Sequence, residues 1–316
     1  MEDHPTRVDV QISLVNTDNA ELLRRCLASL PAAAGSITWR ASVVDNASRD
    51  GSEEIVRREF PWARLLENGR RLGFSANHNR VIGDVIGYDS ARYVLVLNED
   101  TELEPGSLDQ LVSFADSDER LGAVGPRLVE KDGRGQVSYF RFPGVLEQFW
   151  STLRPGRPQH RVEGAGWLNG SCLLVRTEAL RQVGLLDARF FIFFEDTDVG
   201  LRLLRAGWRS AVCESSRVVH HGHQTVSQSG VGTYMEQQML RSRYLYFRKH
   251  HGGYKAALVV SLIRVALGVR AAKALLAGAV TGDGGERYLA GLLWSLARYD
   301  PVAPLPHESM STGVLS

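Results

Sequence analysis

A chain of 316 residues, 44% hydrophobic and 23% charged, can build one large α/β domain with an appendage or two ordinary domains, and is neither a disordered tract nor a disulfide-stapled module. With 37 Lys and Arg against 36 Asp and Glu the net charge is +1, so no global basic field exists to recruit nucleic acid. The three cysteines, Cys26, Cys172 and Cys213, stand far apart without CxxC spacing, which indicates neither structural zinc nor a disulfide framework and fits a reducing, cytoplasmic setting.

Met1 to Arg7 is polar and leads into a strand pattern without the apolar region of a signal peptide. Val8 to Val15 reads as a buried strand. Asp18 with Glu21 then forms a capping-box signal ahead of Leu22, Leu23, Cys26, Leu27 and Leu30, and Pro31 is expected to close that helix. A second strand runs through Ala41 to Val44 and ends at Asp45-Asn-Ala-Ser48. Ser52 to Phe60 reads as helix, Arg64 to Glu67 as a short strand, Val81 to Ile86 as helix, and Tyr93 to Leu97 as a strand that stops at Asn98-Glu-Asp100. This alternation predicts an α/β fold with a mainly parallel sheet covered by helices.

Gly122 to Val162 carries Pro126, Pro143, Pro155 and Pro158, and irregular structure over one mouth of the sheet is expected there. Gly166 to Val175 reads as a turn into a strand, and Thr177 to Val183 as a short helix. The aromatic run Phe190 to Phe194 then leads to Glu195-Asp-Thr-Asp198 and a helix continuing through Ala206. From Tyr234 onward the pattern is helical, with Leu289, Leu292, Leu293 and Leu296 at helical spacing. The most apolar stretch, Ala256 to Val280, is broken by Arg264, Arg270 and Lys273. It falls short of the roughly 20 apolar residues of a membrane span and is better suited to lie on a membrane than to cross one. The segment 301–316 is expected to be disordered.

Open α/β sheets bind ligands beyond the carboxyl ends of their strands, and Asn16, Asp45 and Asp100 sit at such ends. In Asp45-Asn-Ala-Ser48-Arg-Asp50-Gly the first carboxylate can accept a base N–H and its neighbours can bind ribose, although an Asx turn with a helix cap explains the same residues. Gly73-Phe-Ser-Ala-Asn77 can pack against a nucleotide or serve as a glycine turn into a helix. The acids of Asn98-Glu-Asp100 suit a hard divalent cation that also binds phosphates, or a solvated strand end. Glu195 and Asp196 complement a helix dipole, yet apolar neighbours would raise a carboxylate toward general-base values. Of the histidines in Val218-Val-His-His-Gly-His223, one can ligate a metal; adjacent residues seldom converge on one ion. Trp167 can stack on a sugar or fill a core.

Taken in order, VVDNASRDGS, RLGFSANHN, VLVLNEDTELEPGSL, GAVGPRL, WLNGSCLLVR, FFIFFEDTDVGLRLLRAGW, VVHHGH and RYLYFRKHHG resemble the family 2 glycosyltransferases, in particular the bacterial rhamnosyltransferase-like branch, from about Val8 to His251. The resemblance implies a GT-A fold over 1–228, with a nucleotide-binding half at about 7–101 and an acceptor-binding half at about 102–228, followed by a helical extension at 229–300. It implies an inverting transfer of a sugar from a dTDP- or UDP-type donor to a lipid-linked or polymeric cell-surface glycan, and the apolar C-terminal helices point to the inner face of the plasma membrane as the place. Carried onto this chain, the nucleotide would meet Asn16, Asp45, Ser48, Asp50, Gly73, Asn77 and Asn98. Asp100 and His220 would hold Mg2+ or Mn2+. Asp196, with Glu195 beside it, would be the general base, and Trp167, Asn169 and Gly170 would face the acceptor. The chain has Asn16-Thr-Asp18 where the family often has Asn-Tyr-Asn, Asn98 at the first position of the DxD-like motif, and Glu99 for a frequent proline. These departures leave a catalytically weak binding scaffold of the same fold as the competing reading. A sugar nucleotidyltransferase ranks lower, because no glycine-rich phosphate loop follows the first strand.

Overall fold

The computed structural model describes residues 7–155, 165–222, 231–281 and 284–302; His223 and the expected disorder over 303–316 lie outside them. In chain order the elements are β1 (Val8–Asn16), α1 (Ala20–Ala34), β2 (Trp39–Asp45), α2 (Ser52–Glu59), β3 (Arg64–Glu67), α3 (Phe74–Tyr88), β4 (Ala91–Asn98), β5 (Thr101–Leu103) and α4 (Ser107–Asp116). They continue with β6 (Leu121–Val129), β7 (Tyr139–Arg141), α5 (Val145–Leu153), β8 (Gly166–Leu168), β9 (Cys172–Arg176), α6 (Thr177–Val183), α7 (Glu195–Arg205) and β10 (Arg209–His220). Three long helices follow: α8 (Val231–His251), α9 (Gly253–Thr281) and α10 (Gly284–Arg298). The described residues form two compact units, one holding every strand and the other holding α5, residues 192–194 and α8 to α10.

In the first unit eight strands form one sheet in the order β3-β2-β1-β4-β9-β6-β10-β5. The first four are parallel; β9 runs against both its neighbours, and β6 and β10 are parallel. The expected mainly parallel sheet is therefore present. Because side chains alternate along a strand, Ile12, Leu14, Leu95 and Leu97 face one hydrophobic cluster under α1 and α4, while Val94, Val96, Leu173 and Val175 face another under α6 and α7. Leu23, Cys26, Leu27 and Leu30 are the buried stripe of α1, and each such side chain taken from water contributes about 1.5–3 kcal/mol.

Three expectations are corrected. Pro31 does not end α1: its ring lies on the exposed side, and the helix continues to Ala34 before Gly35 turns with φ +56°. A proline there forfeits a single N–H bond in the last turn, which solvent exposure of its ring makes tolerable. The Asp18 capping box does not form either. Asn19 precedes the helix, and Asp50 Oδ2, not Asp18, accepts the Ala20 N–H at 2.8 Å. Finally, Gly122 to Val129 is not irregular but a strand between β9 and β10. Pro126 fits because β9 pairing is confined to Ala123 and Val124, and β10 shifts register after Cys213 opposite it.

In the second unit α9 packs on α5, α8 and α10. Ala256, Val259, Ile263 and Ala266 are buried, yet Leu258, Val265, Val269, Leu276 and Val280 recur at steps of seven and four and are exposed, the last two at 68% and 86%. Steps of seven and four return to one helix face, so α9 carries an open apolar side. No helix among the described residues is long and apolar enough to cross a membrane. Ile192 to Phe194 is held by α8, with Ser242 Oγ donating to Ile192 O at 2.8 Å and Phe194 against Tyr246 at 5.4 Å.

Candidate active site

Parallel register brings the carboxyl ends of three strands level, with Asn16 opposite Asp45 and Val15 opposite Asn98. Asp45 closes the loop on itself, its Oδ2 accepting the Ser48 N–H three residues on at 2.9 Å, with Ala47 at φ 57° between them. Asn16 Nδ2 donates to Ser48 Oγ at 3.1 Å, and Asn16 Oδ1 is buried without a hydrogen-bond partner among the described residues. Asp18 accepts the Arg49 N–H at 2.6 Å and pairs with Arg71. Asp50 caps two helices, since its other oxygen accepts from Ser52 N at 3.1 Å.

Asn46, which sequence reasoning passed over, stitches these loops together. Its Nδ2 donates to Thr17 Oγ1 and Leu72 O, both at 3.1 Å, and its Oδ1 accepts from Asn68 Nδ2 at 3.0 Å and Leu72 N at 2.7 Å. Asn77 is buried, with Oδ1 accepting from Asn68 Nδ2 at 2.6 Å and Nδ2 donating to Leu72 O at 3.2 Å. Gly73 sits where a Cβ would lie 2.7 Å from the Phe191 carbonyl oxygen, which the Phe74 N–H also reaches at 2.6 Å. Its lack of a side chain thus serves contact with the protein's own backbone.

On the other side of the strand ends, Asp100 and His220 meet because β5 returns antiparallel along β10, pairing Thr101 with His220. His220 Nε2 lies 3.5 Å from Asp100 Oδ2, and Asp100 Oδ1 is buried without a hydrogen-bond partner among the described residues. His221 turns the other way, 2.7 Å from Glu102 Oε1, so the adjacent histidines diverge. Glu99 accepts from Asn19 Nδ2 at 2.7 Å; burial, and next the Asp100 charge, push it up to about 7. Among the described residues no group of three or more His, Cys, Asp or Glu could hold a metal. The pair of Asp100 and His220, with an orphaned carboxylate oxygen, has the donor types for Mn2+ or Mg2+ and leaves room in the coordination sphere for donor oxygens.

The turn Asn169 to Ser171 joins this cluster to the acids of α7. Ser171 O accepts from Asn98 N at 2.9 Å, while the Gly170 N–H donates to Asp196 Oδ2 at 3.1 Å. Asn169 Oδ1 closes the turn on Ser171 N at 2.9 Å. Burial pushes Asp196 up to about 6, against the N–H groups of Thr197 at 2.7 Å and Gly170, which pull it down. Glu195 is buried, its Oε2 lacks a hydrogen-bond partner among the described residues, and burial followed by the Asp196 charge raises it well above the carboxylate range. Asp198 is structural: it pairs with Arg202 at 2.8 Å, which in turn donates to the carbonyls of Val183 and Leu185. Trp167 is half-buried, stacked on Phe140 at 4.5 Å, with its indole N–H donating to Arg141 O. The three cysteines are buried and free.

The family model described as Glycosyl transferase family 2 matches residues 10–184. An N-acetylglucosaminyl-diphospho-decaprenol L-rhamnosyltransferase of Mycobacterium tuberculosis is 33% identical over 250 residues, covering 72% of this chain and 80% of that one. A low-salt glycan biosynthesis hexosyltransferase of Haloferax volcanii is 22% identical, covering 75% of each chain. Among solved structures, a mannosyltransferase from Pyrobaculum calidifontis in complex with GDP-Man and Mn2+ superposes with a TM-score of 0.54 at 18% identity, covering 93% of this chain and 87% of that one. The GT-A architecture with C-terminal helices expected from the resemblance is the one observed.

Proposed function

Because the chain belongs to glycosyl transferase family 2 and is a glycosyltransferase, we propose that it transfers a sugar, rhamnose first among candidates, from a dTDP- or UDP-linked donor to a hydroxyl of a lipid-linked glycan precursor, inverting the anomeric carbon. The observation that carries this reading is the turn at Gly170, which couples the strand end bearing Asp100 and His220 to Asp196. Asn16, Asp45, Ser48 and Asn98 line the strand ends where base and ribose would bind. Asp50, Gly73 and Asn77 shape the loops around them. Asp100 and His220 would hold a divalent cation, which when bound neutralises charge on the departing diphosphate.

Asp196 is held for proton abstraction. Two N–H groups fix its orientation, and burial raises it to about 6, so it is deprotonated near neutral pH yet basic enough to take a proton from an attacking hydroxyl. Glu195, raised well above the carboxylate range by burial and with Oε2 lacking a hydrogen-bond partner among the described residues, keeps a proton more readily and limits the negative charge beside it. Trp167, Asn169 and Gly170 lie on the acceptor side of this carboxylate. The open apolar face of α9, with Lys273 exposed nearby, supports peripheral attachment at the inner membrane surface, where a lipid-linked acceptor would reside.

Calorimetry tests the donor half without an acceptor: dTDP, UDP and GDP are titrated with and without Mn2+ or Mg2+ into wild type, Asp45→Ala and Asp100→Ala. Selective, metal-enhanced binding of one diphosphate, weakened in both variants, is expected; no binding of any would overturn the transferase site as drawn. Flotation with anionic liposomes tests the membrane half, and a chain that stays at the bottom of the gradient refutes it.

A further inference from the structure

The charge of the chain is not spread evenly. Residues 231–302 hold 10 Lys and Arg against 4 Asp and Glu, a net of +6 where the whole chain carries +1. In the first unit surface arginines find acids, as Arg24 does with Glu59 at 2.9 Å and Arg134 with Asp132 at 2.7 Å. In the second, the exposed side chains of Arg248, Lys255, Lys273, Arg287 and Arg298 make no ion pair among the described residues. Positive charge that the protein does not compensate is available to an anionic partner.

These cations border apolar surface. Leu258, Val265, Val269, Leu276 and Val280 form the open side of α9. At about 100° per residue Lys273 lies about 40° from Val269 on one flank of that strip, and Gly268 lies about 60° from Val265 on the other. Gly268 is where α10 meets the edge, since a Cβ there would stand 3.4 Å from Trp294 Cζ3. The missing side chain lets the indole lie along α9, and Trp294 is still 50% exposed. Arg298, one turn later on α10, holds its guanidinium 5.5 Å from the Trp294 ring centre. Arg287, seven residues earlier, returns to the same face of α10. Arg287, Trp294 and Arg298 therefore stand in a row beside an apolar strip whose other flank carries Lys273.

A half-exposed indole at the edge of an apolar strip, with a guanidinium stacked on it, suits a boundary that is apolar on one side and wet on the other. A second copy of the chain would bring the same excess of positive charge to this face, and like charges oppose that occupant, whereas a layer of phosphates neutralises it. We propose that this border of the helical unit is the contact for an anionic phospholipid surface, with Trp294 entering at headgroup level and Arg287 and Arg298 pairing with lipid phosphates. This rests on the peripheral attachment proposed above and adds the lipid class and the residues that select it.

Sedimentation of the full chain with vesicles of phosphatidylcholine alone, and of phosphatidylcholine mixed with phosphatidylglycerol, at low and at high salt, tests the contact. Wild type should bind the mixed vesicles at least about tenfold more tightly than the neutral ones, a preference that high salt removes. Arg298→Gln should weaken binding to the mixed vesicles about fivefold at low salt and leave the neutral ones unaffected. Trp294→Ala should weaken binding to both about tenfold at either salt, and Trp294→Phe by less. Absence of wild-type binding to either vesicle would remove the peripheral attachment itself. Wild-type binding that stays within about twofold in Trp294→Ala and Arg298→Gln would leave the attachment standing and overturn this contact. Equal binding to both vesicles at low salt would refute the anionic class. Self-association without lipid, lost in Trp294→Ala, would give the face to a second copy and overturn the proposal.

Discussion

The two sides of the strand ends are built on opposite principles. Around Asn46 and Asn68, polar side chains are closed on one another: the Asn46 side chain alone makes four hydrogen bonds to two other loops. Around Asp100 and Glu195, buried carboxylate oxygens have no hydrogen-bond partner among the described residues, Asp196 is held by two N–H groups, and both α7 acids are raised by burial. A saturated network rigidifies; an unsaturated one stores a demand that a ligand can meet. On the proposed reading the second carries the chemistry, and the first holds the nucleotide-side loops in place.

The largest expected effect breaks the unsaturated side. Asp196→Asn keeps the shape but cannot take a proton, so transfer should fall by about 10²–10⁴-fold while donor binding changes by no more than about twofold. Near-normal transfer would remove Asp196 as the base. A pH profile sharpens the same point. A base must be deprotonated, so wild-type kcat/KM should fall as pH drops through about 6. The acid limb belongs to the coupled pair of Glu195 and Asp196, and its midpoint is a property of both. The residual activity of Asp196→Asn should lack that limb.

How much of this could be read from sequence depended on the kind of signal. Buried strands announce themselves as apolar runs, and their polar stops put Asp45 and Asp100 at the right ends; Arg64 to Glu67 and Thr177 to Val183 match their elements to the residue. Proline misled twice, at Pro31 and Pro126, because its cost depends on whether the lost N–H had a partner to lose. Asp18 misled because Asp50, 30 residues beyond Ala20, accepts the Ala20 N–H instead. Gln136, whose side chain meets His220 at 2.9 and 2.8 Å, gave no signal beyond Asp132-Gly133, which marks the turn, since such through-space contacts have no periodicity behind them.

On the saturated side the expected losses are of stability, and smaller. Asn46→Ala removes four hydrogen bonds and leaves buried groups unpaired, which should cost about 2–3 kcal/mol, visible as a lower urea midpoint at unchanged slope. A loss below about 0.5 kcal/mol would mean that water replaces the amide and that the network is not what holds the loops.

Asp50 gives the finest discrimination, because its carboxylate is already divided between the first turns of α1 and α2 through Ala20 N and Ser52 N. If capping is its whole task, Asp50→Ala should cost about 1–2 kcal/mol of stability, and Asp50→Asn, which retains one acceptor, roughly half of that. Nucleoside diphosphate affinity, measured by calorimetry well below the unfolding transition, should then stay within about threefold of wild type, since no contact to the ligand is removed. A drop of tenfold or more in both variants would show that the same carboxylate also reaches the ribose. The boundary between the two sides would then run through Asp50 rather than beside it.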